Sequence, residues 1–292
     1  MNTFLQLVVN GLGKGAVYAL LALGFVVIFK ASGVLNFAHA SFALLGGYVA
    51  FRTYDTLGFA GSAALGVLAA GLGALLVERV LVARRPLADP ISLALLTIGV
   101  DVVLLTELVR RLGDDVPFLG RPYDAKPIRV GEVTLFRTQL VALAVAAVLL
   151  AAFFLAFRRT GWGIAMRALA ENREAAALMG IRNARVTAVA WLVAGTLAGV
   201  AVLFIATQDF SGAGLGRSTH ALALVAFPAA IIGGLDSTGG ALAGGLIVGL
   251  TESLSAEYIS FEFSKIAVYL VMLAVLVTVP SGLFGTRERI RV

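Results

Sequence analysis

The sequence predicts an all-α, polytopic transmembrane helical bundle of about eight or nine spans, some of them re-entrant or broken. Three observations carry that reading. The 292 residues are 60% hydrophobic and only 14% charged, with a mean hydropathy of +0.96, whereas soluble domains run near a quarter charged. Apolar runs recur along the whole chain at the length of a spanning helix, about 20 residues. Charge and proline concentrate in the stretches between those runs. No shift in composition divides the chain, so 1–292 reads as one integrated bundle.

The apolar runs fall at 5–29, 36–53, 57–77, 91–109, 138–157, 187–207, 220–235, 239–256 and 264–280. No Lys or Arg precedes Lys14, so the first run lacks the basic start of a cleaved leader and reads from Phe4 as a retained span. Run interiors are apolar all round, without a stripe of period 3.6, as expected of helices that meet lipid or other helices on every side. The runs 36–53 and 220–235 are short for a bilayer and are bordered by Asn, Gly or Pro, which permits a broken helix. Of the two long polar segments, 110–137 carries Pro117, Pro122 and Pro127 and reads as an irregular loop. The other, 158–186, is proline-free and helix-compatible throughout.

Charge orients the bundle. With nine spans, one side gathers Lys30, the arginines of 79–85, of 158–185 and of 287–291, thirteen basic against six acidic residues, while the other side balances nine with nine. The basic side is expected to be cytoplasmic, which puts the N-terminus outside and the C-terminus inside. This also accounts for the formal charge of +6 and the pI near 10.0 without a nucleic-acid partner, since the basic residues form no stripe with interleaved aromatics. The chain has no Cys and two His, so disulfides and thiol chemistry are excluded. HExxH, GxxxxGK[ST] and the nucleophile elbow are absent. The expectation is a non-enzyme with no metal site.

The sharpest local signal lies at 158–186. From Thr160 the chain is rich in Ala, Met, Arg and Glu, strong helix formers, and predicts one or two short helices. Ile164, Ala168, Ala175, Leu178 and Met179 fall near one face. Arg167, Glu171 and Glu174 fall on another, where Arg167 and Glu171 are spaced to pair. Gly180 is placed to stop the helix in a left-handed turn. Such a knob suits either a groove on a soluble partner or the lipid headgroup layer.

Glycine dominates the other informative positions. Gly195/Gly199, Gly240/Gly244 and Gly245/Gly249 have small-xxx-small spacing, which brings helices together. The cluster at 233–249 also lowers the cost of bending beside a path. Asn36 is placed to cap the following helix, and His39 follows it. Asp101 lies deep in a run, where a carboxylate turns to the protein interior; by sequence it has no acid, His or Lys at helical spacing. Lys14 and Glu252 read as isolated structural charges.

Several stretches carry a family resemblance. Glu174-Ala175-Ala176 followed by Gly180 has the EAA-xxx-G spacing of the loop by which ABC import permeases dock on their ATPases. With the preceding GWGIAMRALAENRE, it resembles the branched-chain amino acid ABC permeases. GAVYALLALGFVVIFKASGVLNFAHASFALLGGYVA (15–50), AAIIGGLDSTGGALAGGLIVGLTESL (229–254) and PSGLFG (280–285) are similar to that family's opening, late glycine segment and C-terminal signature. The Ile and Leu-Pro that often follow Gly180 in ABC importers are missing, and Asp236 adds an acid to the glycine segment.

The resemblance implies a subunit of a prokaryotic cell (inner) membrane importer of branched-chain amino acids or related small polar solutes. It implies pairing with a second homologous permease, two cytoplasmic ATPases that carry the ATP and Mg, and an extracytoplasmic solute-binding protein; this chain itself binds no cofactor. Arg167, Glu171, Glu174, Ala175, Ala176, Met179 and Gly180 are the coupling candidates. Asn36, His39, Gly46, Gly47, Gly233, Gly234, Gly239, Gly240, Gly244 and Gly245 are candidates for the path or gate. The rival readings are a proton- or sodium-coupled carrier and a non-transporting membrane scaffold.

Overall fold

In the computed structural model, residues 2–85, 89–113, 116–120, 126–130, 133–208, 210, 212 and 214–286 are described. Asp114, Asp115, Arg121, Asp124, Glu132, Asp209 and the charges at 287–291, all used in orienting the chain, lie outside those residues, as does Pro122 of the polar segment 110–137. The bundle is built around α1 (Asn2–Ser32), which is buried continuously from Ala16 to Ile28. It is enclosed by α4 (Arg137–Arg159), α7 (Asn183–Ile205), α9 (Ala226–Gly233) and α10 (Thr238–Tyr258). Uniformly apolar composition makes this possible, because a helix with no polar face can be covered all round.

The next element, α2 (His39–Val77), is two antiparallel arms. Gly58 has φ 64° and ψ −176°, a conformation essentially closed to residues with a Cβ. Ala50 and Gly66 would lie about 24 Å apart in a continuous helix, yet a Cβ on Gly66 would stand 2.9 Å from that of Ala50. The separate runs 36–53 and 57–77 are therefore separate passes. The second arm continues through a π-helical turn, Glu78–Val82.

Residues 33–38 are the broken element that the Asn and Gly content suggested. Gly33, at φ 68°, ends α1. The chain then runs without helix to a depth marked by Thr97, whose Oγ1 accepts from the Phe37 N–H (3.1 Å) and donates to the Leu35 carbonyl (3.2 Å). Thr97 is seven residues into α3 (Pro90–Leu112), about 10 Å along its axis, so α2 starts well inside the bundle. Non-helical backbone is tolerated there because protein groups satisfy it. At the start of α3, exposed Asp89 accepts from Ser92 Oγ, Ser92 N and Ile91 N at 2.6–2.9 Å, which holds its carboxyl below the usual aspartate range.

The segment 110–137 differs from the irregular loop expected of it, because β1 (Ile128–Val130) and β2 (Val133–Leu135) pair antiparallel within it. Gln6 fixes β2 to α1 through two 2.7 Å bonds with the Thr134 backbone. The run 220–235 becomes α8 (Arg217–Leu224) and α9, broken at Val225. Pro228 supplies the reason: it has no N–H for the Leu224 carbonyl and is accommodated only in a first turn. The chain closes with α11 (Phe261–Thr278).

Among the described residues, six helices are long and apolar enough to cross a membrane, and one of them, His39–Val82, folds back at Gly58 into two arms. Helix α10 and the α8/α9 pair fill the remaining positions. Leu95, Val103, Val148, Leu155 and Val277 stand outward on α3, α4 and α11, the surface that lipid or another apolar chain covers. The chain is a polytopic helical membrane protein.

Candidate functional site: a knob, a glycine joint and buried polar clusters

The segment 158–186 folds as two short helices, α5 (Gly161–Glu171) and α6 (Arg173–Leu178). Asn172 separates them and caps the second, its Oδ1 accepting from Glu174 N at 3.0 Å and Ala175 N at 2.9 Å. Gly180, at φ 83°, stops α6: its N–H bonds the Ala177 carbonyl while Ile181 N–H reaches back to Ala176 (3.0 Å each), the Schellman arrangement. This turn thrusts Leu178 and Met179 outward, 89% and 83% exposed. Ile164, Glu171, Glu174 and Ala175 are exposed as well.

Ala176 is 4% exposed and packs the knob onto the bundle, while Ala175 beside it is exposed. One expectation here is corrected. Arg167 does not pair with Glu171. It donates to the Phe157 carbonyl at the end of α4 and lies 5.2 Å from the Phe157 ring centroid, where the last carbonyls of a helix favour a cation. Arg173, unremarked in the sequence, donates to the Ala31 carbonyl at 2.7 Å, and partial burial there lowers its guanidinium from the usual arginine value. Through Arg173 the knob is bonded to the end of α1.

The glycine candidates form a packing joint. Gly233 and Gly240 face each other so closely that a Cβ on either would strike the other's backbone, and one on Gly244 would strike the Ala229 carbonyl. On the opposite side of α10, a Cβ on Gly245 would stand 2.5 Å from Ala19 N. Gly234 (φ 103°) receives the C-terminal PSGLFG turn: Leu283 N–H bonds Ile232 at 2.8 Å, Phe284 N–H bonds Gly233 at 3.0 Å, and Asp236 accepts from Thr286 N at 2.9 Å. Asp236 thus holds the C-terminal segment. Gly239 is exposed with open space around it and takes no part. Gly46 brings together the two arms of α2 and α7, and Gly47 meets Leu215 and Val202.

Buried polar groups lie along the bundle axis. Asn36 Oδ1 accepts from Ala38 N at 3.1 Å, closing the turn ahead of α2 instead of capping its first residue, and its Nδ2 has no partner among the described residues. His39 is fully buried 4.6 Å from the Phe25 ring, and its ring nitrogens make no well-formed hydrogen bond among the described residues. Asp101 is not isolated: its Oδ1 accepts from Ser41 Oγ at 2.6 Å and meets His220 Nε2 at 2.9 Å. Glu252 Oε1 accepts from Lys14 Nζ at 2.8 Å and its Oε2 from Tyr18 at 2.6 Å. Sequence reading missed both clusters because each acid lies 60 or more residues from its partners, and no periodicity connects separate helices. A charge in an apolar run was the one signal available.

Residues 7–276 match the sequence model of the family described as "Branched-chain amino acid transport system / permease component". The chain belongs to that family. Among its relatives, the high-affinity branched-chain amino acid transport system permease protein LivH of Escherichia coli (strain K12) is 31% identical across 98% of this chain and 96% of its own length. BraD of Pseudomonas aeruginosa, a permease protein of the same description, is 28% identical across 98% and 97%. Among solved structures, PsaBC from Streptococcus pneumoniae in complex with Fab aligns over 93% of this chain and 88% of its own, with TM-score 0.48 and 16% identity.

As a permease component, the chain is one member of a larger transport system. The stretches likened to the family by sequence all fall in structured places: 15–50 on α1 and α2, 229–254 on the α9/α10 joint, and 280–285 docked beneath it. In this permease α1 joins the two ends of the bundle. Ala31 meets the knob, and Lys14 and Tyr18 meet Glu252 in the half away from it.

Proposed function

We propose that this permease forms one half of the translocation path of an ATP-driven ABC importer for branched-chain amino acids or related small polar solutes, in a prokaryotic cell (inner) membrane. A second homologous permease supplies the other half, two cytoplasmic ATPases bind the ATP and Mg, and an extracytoplasmic binding protein delivers the solute. The observation that carries the reading is the α5/α6 knob, with Leu178 and Met179 held outward by a Gly180 stop and Arg173 bonded to α1. An apolar pair projecting into water from a rigid turn suits a groove on a soluble partner. Ala175, Glu174 and Glu171 border the anchors; Arg167 and Ala176 fasten the knob from behind.

In the coupling this implies, nucleotide-driven movement of the ATPases displaces α6, Arg173 carries the displacement to the end of α1, and α1 shifts against α10 across the glycine joint. Helices meeting backbone to backbone move as stiff bodies, so a shift at one end is transmitted to the other. Asn36 and His39, with their unpaired buried nitrogens, are assigned to the path, and Gly233, Gly234, Gly240, Gly244 and Gly245 to the gate.

The test is purification of the complex followed by reconstituted uptake: two ATPases per permease pair and ATP-dependent uptake are expected. Arg173→Met in that complex is expected to retain its ATPases while solute-stimulated hydrolysis falls about tenfold, since a charge-assisted bond of about 1.5 kcal/mol is removed between knob and α1. Unchanged stimulation would disconnect Arg173 from coupling. Orientation is checked separately in the cysteine-free chain. Phe118→Cys is expected to react with an impermeant thiol reagent from outside and Ala177→Cys only after permeabilisation, and the reverse pattern inverts the topology.

A proton-coupled carrier is the second reading, favoured by one observation, the contact of Asp101 with His220 and Ser41 at mid-bundle depth. Uptake by the isolated chain under a proton gradient would select it.

A further inference from the structure

A cavity of about 540 Å³ lies at the knob end of the bundle, where α1 ends, the second arm of α2 finishes in its π-helical turn, and α3 and α7 begin. That volume lies in the range of small-molecule sites. Two acceptors on its wall are buried and unsatisfied. The Glu78 side chain is 1% exposed, and its Oε2 has no hydrogen-bond partner among the described residues. Arg79 Nε stands 3.5 Å from that oxygen, beyond a well-formed bond. Asn183 uses its amide N–H on the Arg173 carbonyl at 3.2 Å, which leaves its buried Oδ1 without a partner. Neither hydroxyl on the wall can serve them, since Ser32 donates to the Ile28 carbonyl at 2.7 Å and Thr187 to the Asn183 carbonyl at 3.0 Å. Arg85 and Arg173 line the same cavity with no carboxylate in ion-pair range among the described residues. Arg173 bonds Ala31 through one of its nitrogens and keeps other N–H groups free.

The free donors of this cavity are therefore cationic, and its free acceptors lack donors. A bare anion would satisfy the guanidiniums and leave Glu78 and Asn183 as they are. An amine would meet two guanidiniums. With Arg79, three positive charges stand against one negative, so a zwitterion would leave an excess of two in place. The fitting ligand is an anion that carries neutral donors of its own. Guanidinium forks match the oxygens of a phosphate, and hydroxyls on a short arm supply the donors that buried acceptors require. We propose that this cavity binds a glycerophosphate group, with its phosphate on Arg85 and Arg173 and its hydroxyls on Glu78 and Asn183. That group is offered by the headgroup of phosphatidylglycerol and by free glycerol 3-phosphate. The lipid is favoured because Ile91 and Leu95 stand 73% and 63% exposed on α3, beside Pro90 and Leu93 of the cavity wall, a surface on which acyl chains can lie. Arg173 belongs to the knob and the other contacts to α2 and α7, so the bound group ties the knob to the ends of the bundle.

The test reads occupancy without reading transport, so it is independent of the importer reading. Because the chain contains no cysteine, Ala184→Cys, an exposed position on the cavity wall, gives the permease a sole thiol there. In the assembled complex in phosphatidylcholine nanodiscs, that thiol is expected to react with N-ethylmaleimide. Phosphatidylglycerol added to the discs is expected to slow the reaction severalfold, while phosphatidylmethanol, equal in charge but without hydroxyls, protects little. Adding Arg85→Gln, a change at an exposed side chain, is expected to raise the phosphatidylglycerol fraction for half-protection about tenfold, the size of one charge-assisted bond. Protection by the lipid alone upholds the site with the headgroup as occupant. Protection by glycerol 3-phosphate in phosphatidylcholine discs upholds it with the free ester. Protection by neither overturns the site. Equal protection by phosphatidylmethanol shows a merely charged surface and overturns the glycerophosphate assignment. A thiol already unreactive in phosphatidylcholine discs shows the cavity covered by a partner subunit and overturns it as a ligand site.

Discussion

Ala175→Arg is expected to leave the bundle inserted and paired but largely without its ATPases. Ala175 is exposed on α6 beside Leu178 and Met179, so an arginine there fits the isolated permease without strain. In the proposed docked state the same arginine is an unpaired charge within an apolar contact, a cost of about 3 kcal/mol or more, which weakens binding more than a hundredfold. The measurement is ATPase content and solute-stimulated hydrolysis of purified complexes. Glu174→Ala serves as the mild comparison, because a charge at the edge of an interface contributes under about 1 kcal/mol. Ala176 is unsuitable, since it is buried and its replacement would damage the knob itself. If Ala175→Arg complexes keep both ATPase content and stimulation, the docking assignment fails and α6 belongs to the headgroup layer.

Gly244→Leu is expected to have the largest effect on the bundle itself. A Cβ at 244 collides with the Ala229 carbonyl, a backbone atom that cannot rotate away, so α9 and α10 must separate. Overpacking against side chains already costs about 1–3 kcal/mol, and backbone is less forgiving. Complex yield, melting temperature and uptake should fall together. Gly239→Leu is the control, five residues earlier on the same helix with open space around it, and it should resemble the unaltered protein. Similar behaviour of the two variants would show that the joint is loose where the geometry makes it tight.

These two variants also mark how far the sequence could be read. Gly239 and Gly244 belong to one glycine-rich segment and look equivalent in it, because the sequence records a missing side chain without recording what stands opposite. Ala175 and Ala176 are adjacent alanines in one motif, and only the packing of α6 on the bundle makes the first a surface residue and the second a core residue. Arg167 likewise had a well-spaced partner in Glu171, but the ends of α4 and α5 meet, and the Phe157 carbonyl takes the guanidinium.

By itself the sequence determined what depends on composition and on near neighbours along the chain. That includes the membrane as solvent, the apolar runs that become helices, the break before α2 and the Gly180 stop. Each follows from local backbone preference or from the cost of placing polar groups in lipid. The family resemblance was legible for a similar reason, since its motifs are contiguous. The tertiary structure alone decided which distant groups meet: Ser41 and His220 at Asp101, Lys14 and Tyr18 at Glu252, Arg173 at Ala31. In an apolar interior each such group must find a partner, so the sequence announces that a partner exists. Which one it is depends on the depth and rotation at which whole helices pack, a property of glycine-mediated contacts between elements that no single segment encodes.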